Sequence, residues 1–177
     1  PEWIYAGNTE LPFEQAQANQ QDYLLDQVHC GAGERLLDIG CGYGTLLQRA
    51  RHRGAIGVGI TINPEQVCHC RRKGLDVHLL DYRAVPRAWD GAFDGLIANG
   101  SIEHFVRPDD VATGRTDDVY RNLFATVHRL IDPASTARRF ATTTIHVLRK
   151  PTDPSALLHS PFAFPRGSDD FHWTVLE

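Results

Sequence analysis

No apolar run in these 177 residues approaches the length that spans a bilayer, and no charged-then-apolar start marks a secretion leader. A cytoplasmic location is the expectation. Methionine is absent altogether, so Pro1 is not read as a natural start, and the chain stops at Glu177 in what reads as mid-helix. Both ends point to a piece of a longer protein. An excess of positive charge is missing too: 18 Lys and Arg stand against 22 Asp and Glu, a net charge of −4. Basic clusters such as Arg49, Arg51, Arg53 and Arg71-Arg72-Lys73 are offset by acids elsewhere and build no nucleic-acid footprint. Cysteine is scarce. Cys30, Cys41, Cys68 and Cys70 are read as free thiols of a reducing compartment. Cys68-His69-Cys70 fits no common zinc spacing, and a helix turns positions 68 and 70 to different sides, so no metal site is expected. What remains is 42% hydrophobic and 23% charged, the makeup of one globular domain over residues 1–177 with a substantial core.

Strand and helix alternate along the chain, which predicts a doubly wound, mainly parallel α/β sheet covered on both faces, a Rossmann-like fold. An N-terminal helical segment, residues 1–33, carries a polar, Gln-rich helix from Phe13 to Val28, closed by Gly31 and Gly33. Strands are predicted at Arg35–Ile39, Ala55–Ile60, Asp76–Leu80, Phe93–Asn99 and Phe140–Leu148, with helices at Thr45–Arg53 and Asp117–Leu130. Asn63-Pro64-Glu65-Gln66 opens a further helix, with Asn63 as cap and Pro64 in the first turn, ending at Gly74. Residues 150–177 turn Pro- and Ser-rich and read as a loop or lid-like tail; the closing helix and hairpin of a complete fold are not found.

The densest signal is Leu36-Leu37-Asp38-Ile39-Gly40-Cys41-Gly42-Tyr43-Gly44. An apolar strand, an acid and three glycines in nine residues form a tight turn into a helix whose backbone can touch a ligand. Thr45 stands where the dinucleotide fingerprint wants its last glycine, which argues against NAD. Asp38 is placed to hold loop amides and to face a cation. The pattern Asp-x-Gly-x-Gly-x-Gly resembles motif I of the class I S-adenosylmethionine-dependent methyltransferases, which implies that cofactor for Asp38, Gly40, Cys41, Gly42 and Gly44.

More of the chain follows the same likeness. Gly57-Val58-Gly59-Ile60-Thr61-Ile62-Asn63, Glu65-Gln66, Asp81-Tyr82-Arg83 and Gly100-Ser101-Ile102-Glu103-His104-Phe105, in this order, resemble the cyclopropane-fatty-acid synthases and mycolic acid methyltransferases. Phe164-Pro165-Arg166-Gly167 looks like a turn of that family. On this resemblance Thr61 and Gln66 are neutral hydrogen-bonding candidates for the adenosyl group. Asp81 accepts from the adenine amino group with Tyr82 beside the ring, and Asn99 and Gly100 lie at the methionine part and its methyl. Glu103 is the expected catalytic carboxylate, because methyl transfer to an alkene creates a carbocation that a carboxylate stabilises or deprotonates. His104 is a second candidate for that role or a structural histidine. Trp89 covers the cofactor edge or packs on the sheet.

The match thins at the bicarbonate ligands of the cyclopropane synthases. Ile145 is kept, but Thr143 falls where the family has His, the upstream Cys has no counterpart near Ile4-Tyr5-Ala6-Gly7, and the late Tyr would lie beyond Glu177. The resemblance therefore implies methyl transfer to a carbon or heteroatom of a lipid, isoprenoid-like or secondary-metabolite acceptor. Cyclopropane-fatty-acyl-phospholipid synthesis proper and a non-catalytic S-adenosylmethionine-binding domain stand as the alternatives.

Overall fold

The computed structural model describes residues 4–143. Five parallel strands form one sheet in the order β3-β2-β1-β4-β5. They are β1 (Arg35–Ile39), β2 (Ile56–Thr61), β3 (Asp76–Leu79), β4 (Gly95–Asn99) and β5 (Arg139–Thr143). The helices are α1 (Phe13–Gln27), α2 (Thr45–His52), α3 (Pro64–Arg72), α4 (Pro108–Ala112) and α5 (Thr116–Leu130). The doubly wound α/β fold read from the sequence is the fold observed.

Each central strand is apolar on both faces because helices cover both. On one face Leu24 and Leu25 of α1, Val28 just past its end, and Leu46 and Ala50 of α2 pack on Leu36 and Ile97. On the other, Leu123, Val127 and Leu130 of α5 close over Leu37, Ile39, Ile60 and Leu96. Full burial of one such side chain is worth about 1.5–3 kcal/mol, so these layers dominate the fold's stability. An Arg49–Asp22 pair, with Nε and Nη2 of the guanidinium at 2.8 and 2.5 Å from the two carboxylate oxygens, ties α2 to α1. Half-exposed, it aligns the helices more than it stabilises them.

The predicted boundaries hold to within a residue or two through α3. Asn63 Oδ1 accepts from the amides of Glu65 at 2.9 Å and Gln66 at 3.4 Å, the cap expected of it. β4 is shorter than the predicted Phe93–Asn99: Phe93 leaves the ladder to make a single parallel bridge with Ile131. The short α4 and the 3-10 turns at Tyr82–Ala84, Arg87–Trp89 and Ile102–His104 have no counterpart among the elements predicted from the sequence. Trp89 packs edge-on against His78 and Phe93, which makes it a sheet-packing residue. The continuation of β5 to Leu148, Ile145, and the tail from residue 150 lie outside the described residues.

Candidate active site

The carboxyl ends of β1, β2 and β4 open into a cavity of about 520 Å³. It lies where the sheet order reverses between β1 and β4, the place where open α/β sheets take their ligands. Of the residues singled out from the sequence, Asp38, Gly40, Cys41, Gly42, Thr61, Gln66, Asp81, Tyr82, Asn99, Gly100 and His104 line it. Gly44 and Glu103 do not.

Gly44 is corrected by its surroundings. A Cβ there would stand 2.6 Å from Leu75 Cδ1 and 2.9 Å from Cys70 Sγ, so this glycine lets the turn pack on α3 rather than face a ligand. The same packing draws two thiols together: Cys41 and Cys70 both donate to the Gly42 carbonyl, at 3.9 and 3.5 Å. Burial pushes both thiols up, Cys41 the further, so they are neutral packing groups of the loop. Gly59 on β2 serves the same fit, since a Cβ would lie 2.7–2.9 Å from Leu47 and Cys41.

Asp38 sits at the bottom of the cavity with 2% exposure. The expectation that it holds loop amides is corrected. Gly40 and Cys41 donate to the Ile60 carbonyl at 2.9 and 3.0 Å, and Gly44 donates to Cys41 at 2.9 Å. The backbone closes this turn by itself and leaves Asp38 a desolvated acid, pushed up by burial to about 7. Ser101, which the sequence did not single out, ties the β4 loop to this floor: its hydroxyl donates to the Ile39 carbonyl at 2.8 Å. A lone serine after a strand carries no signal that could have marked it.

Across the cavity, Thr61 Oγ1 donates to Gln66 Oε1 at 2.6 Å and accepts from the Asn63 amide at 3.2 Å. Thr61 thus orients Gln66, whose amide nitrogen keeps its donors. The Asp81 carboxylate accepts from the Arg83 amide at 2.9 Å and from its guanidinium at 2.6–3.2 Å. Hydrogen bonding from Arg83 holds it below the usual carboxylate range, so it is ionised and largely engaged. Tyr82 stacks on Phe105 with ring centres 4.5 Å apart, an aromatic wall beside that acid.

Glu103 is buried behind Gly100, with Oε1 3.9 Å from where a Gly100 Cβ would stand. Its Oε2 is buried with no hydrogen-bond partner among the described residues. An orphaned carboxylate oxygen is costly, so its burial calls for a reason. His104, next in the chain, is exposed at the cavity rim. Thr143, at the end of β5, donates to Asn99 Oδ1 at 2.7 Å.

Residues 4–164 match the family model described as mycolic acid cyclopropane synthetase. A probable fatty acid methyltransferase of Pseudomonas putida is 39% identical over 109 residues, which are 56% of this chain and 27% of that protein. Cyclopropane mycolic acid synthase MmaA2 of Mycobacterium tuberculosis is 26% identical over 129 residues, 70% of this chain and 42% of that one. The chain thus spans less than half the length of these curated relatives. Among solved structures, mycolic acid cyclopropane synthase CmaA1 complexed with SAH and CTAB superposes with a TM-score of 0.62 at 24% identity. The superposition covers 76% of this chain and 45% of that one, and it bears on the fold. With the glycine turn, the orphaned Glu103 and a family match over most of its length, this chain belongs to the mycolic acid cyclopropane synthetase family.

Proposed function

We propose that this chain is the cofactor-binding part of an S-adenosylmethionine-dependent methyltransferase that methylates a carbon of an unsaturated acyl lipid. The observation that carries the reading is Asp38, a buried acid with its face to a cavity at the glycine turn and, among the described residues, no cation beside it. A cationic ligand supplies what this carboxylate lacks. The cavity volume suits a nucleoside-sized ligand, within the roughly 300–1,000 Å³ of small-molecule sites. Gln66, Asp81 and Tyr82 offer a nucleoside amide donors, a carboxylate and an aromatic face.

When bound, S-adenosylmethionine supplies an electrophilic methyl group on sulfur. Asp38 holds the positive charge of that ligand, and the Gly40 and Gly42 backbone admits it closely. Transfer of that methyl to an alkene would leave positive charge on the neighbouring carbon, which the protein must answer. Glu103 stabilises that charge and accepts the proton whose loss restores a double bond. His104 at the rim is a second acceptor for the proton. Thr143 supports an open-chain product over a ring: its hydroxyl is committed to Asn99 at the place where the family resemblance has a bicarbonate-holding His.

The name of the Pseudomonas putida relative supports an acyl acceptor. The test is calorimetric titration of the full-length protein with S-adenosylmethionine and S-adenosylhomocysteine, followed by transfer of labelled methyl to phospholipids bearing cis-unsaturated chains. Binding and a methyl-branched product by NMR support the proposal; binding without transfer to any acyl lipid overturns the acceptor, and no binding overturns the whole reading.

A further inference from the structure

α1 gives Gln17 to the cavity wall, and one turn further on it buries Gln20 to 2% exposure. Gln20 Nε2 donates to Asn99 Oδ1 at 3.0 Å, and Asn99 Nδ2 donates back to Gln20 Oε1 at 3.4 Å. This reciprocal amide pair joins α1 to the end of β4. Thr143 Oγ1 donates to the same Asn99 oxygen at 2.7 Å, and the Gly100 amide donates to the Thr143 carbonyl at 3.1 Å. Two elements, α1 and β5, therefore converge on one cavity-lining side chain of β4.

The inventory of Asn99 then decides what it offers. An amide oxygen has two lone pairs, and Gln20 and Thr143 take both; an amide nitrogen has two hydrogens, and Gln20 takes one. The capacity left for the cavity is one N–H. The nearby lining groups Gln17, Gly100 and Ser101 are neutral and Asp38, on the adjacent strand, is the acid for the ligand's positive charge, whereas Asp81, Arg83 and Arg107 belong to the other end, where the aromatic wall is. A donor among neutral groups suits an anionic oxygen that carries its own counter-charge, as the carboxylate of an amino acid does.

We infer that Gln20 is a positioning residue that holds the Asn99 amide as a donor to the carboxylate at the amino-acid end of the ligand. The inference rests on the cofactor reading above. The ligand's nucleoside end makes no use of this amide, so the two ends respond differently to its loss. Gln20→Met keeps the length and the packing of the side chain and removes both hydrogen bonds to Asn99.

The test compares S-adenosylhomocysteine with 5′-methylthioadenosine, the same nucleoside thioether without the amino-acid tail, by calorimetry on the full-length protein. Gln20→Met weakens S-adenosylhomocysteine about tenfold, the loss of one hydrogen bond to a charged group, and leaves methylthioadenosine within about twofold. Should Gln20→Met not fold, Thr143→Val removes one of the two donors to Asn99 and produces a smaller loss with the same selectivity. Equal weakening of both ligands, or of neither, overturns the positioning role and leaves the cofactor reading standing. A wild-type protein that binds neither compound overturns both.

Discussion

Asp38→Asn separates what the site costs from what it does. Burial raises the Asp38 carboxyl from the usual 3.8 to about 7, so the folded chain keeps this proton over a pH range in which the unfolded chain releases it. The unfolded state thus binds fewer protons between pH 4 and 7, and stability falls as pH rises through that window. The shift of about three units at 1.36 kcal/mol each sets the cost on the order of 4 kcal/mol above pH 7. Asparagine has the same shape and no proton to lose. The variant should match the wild type near pH 4 and exceed it by up to about 4 kcal/mol at pH 8, or roughly 8–16 °C in Tm for a chain of this size. Thermal melts of ligand-free protein at unit steps of pH measure this. The same substitution should abolish S-adenosylmethionine binding and with it the rise in affinity expected as pH approaches 7. A stability difference that does not change with pH, or a variant less stable than wild type at pH 8, would refute the reasoning.

The catalytic assignment is checked by Glu103→Gln, which should lower kcat about 10²–10⁴-fold, the range for losing a positioned base, with cofactor affinity within about twofold. Full turnover by that variant removes Glu103 from the chemistry. Gly40→Ala and Gly42→Ala both require a left-handed backbone, but only at Gly40 does the new Cβ meet an atom, Ser101 Cβ at 2.6 Å. Gly42→Ala should therefore cost about 1–2 kcal/mol and Gly40→Ala clearly more, as read by urea denaturation; equal costs would show that the turn relaxes. Gly59→Ala drives a methyl to 2.7–2.9 Å of Leu47 and Cys41, so it should destabilise by about 1–3 kcal/mol and weaken S-adenosylhomocysteine through the displaced loop. Thr61→Val removes a buried hydroxyl that serves both Gln66 and Asn63, with an expected loss of about 1–3 kcal/mol by the same assay.

The elements legible in the sequence are those that local chemistry dictates. Leu36, Leu37 and Ile39 between polar flanks make a buried strand wherever they are placed, and Asn63-Pro64 caps a helix through bonds to residues two and three positions on. The glycine turn was visible for the same reason, since its left-handed φ values are demanded within the turn itself. Where the cavity opens, and that most of the chosen residues line it, follows from parallel strands whose loops share one edge. Tertiary structure alone decided the rest. Gly44 turned from ligand to packing because Cys70 of α3 and Leu75 just beyond that helix arrive against it. Gln20 and Asn99 pair across 79 positions, and no spacing rule links them. The charge of Asp38 follows its burial, which depends on every layer packed around β1. Hydrogen bonds and desolvation act through space, and the chain order of two polar residues says nothing about whether water lies between them.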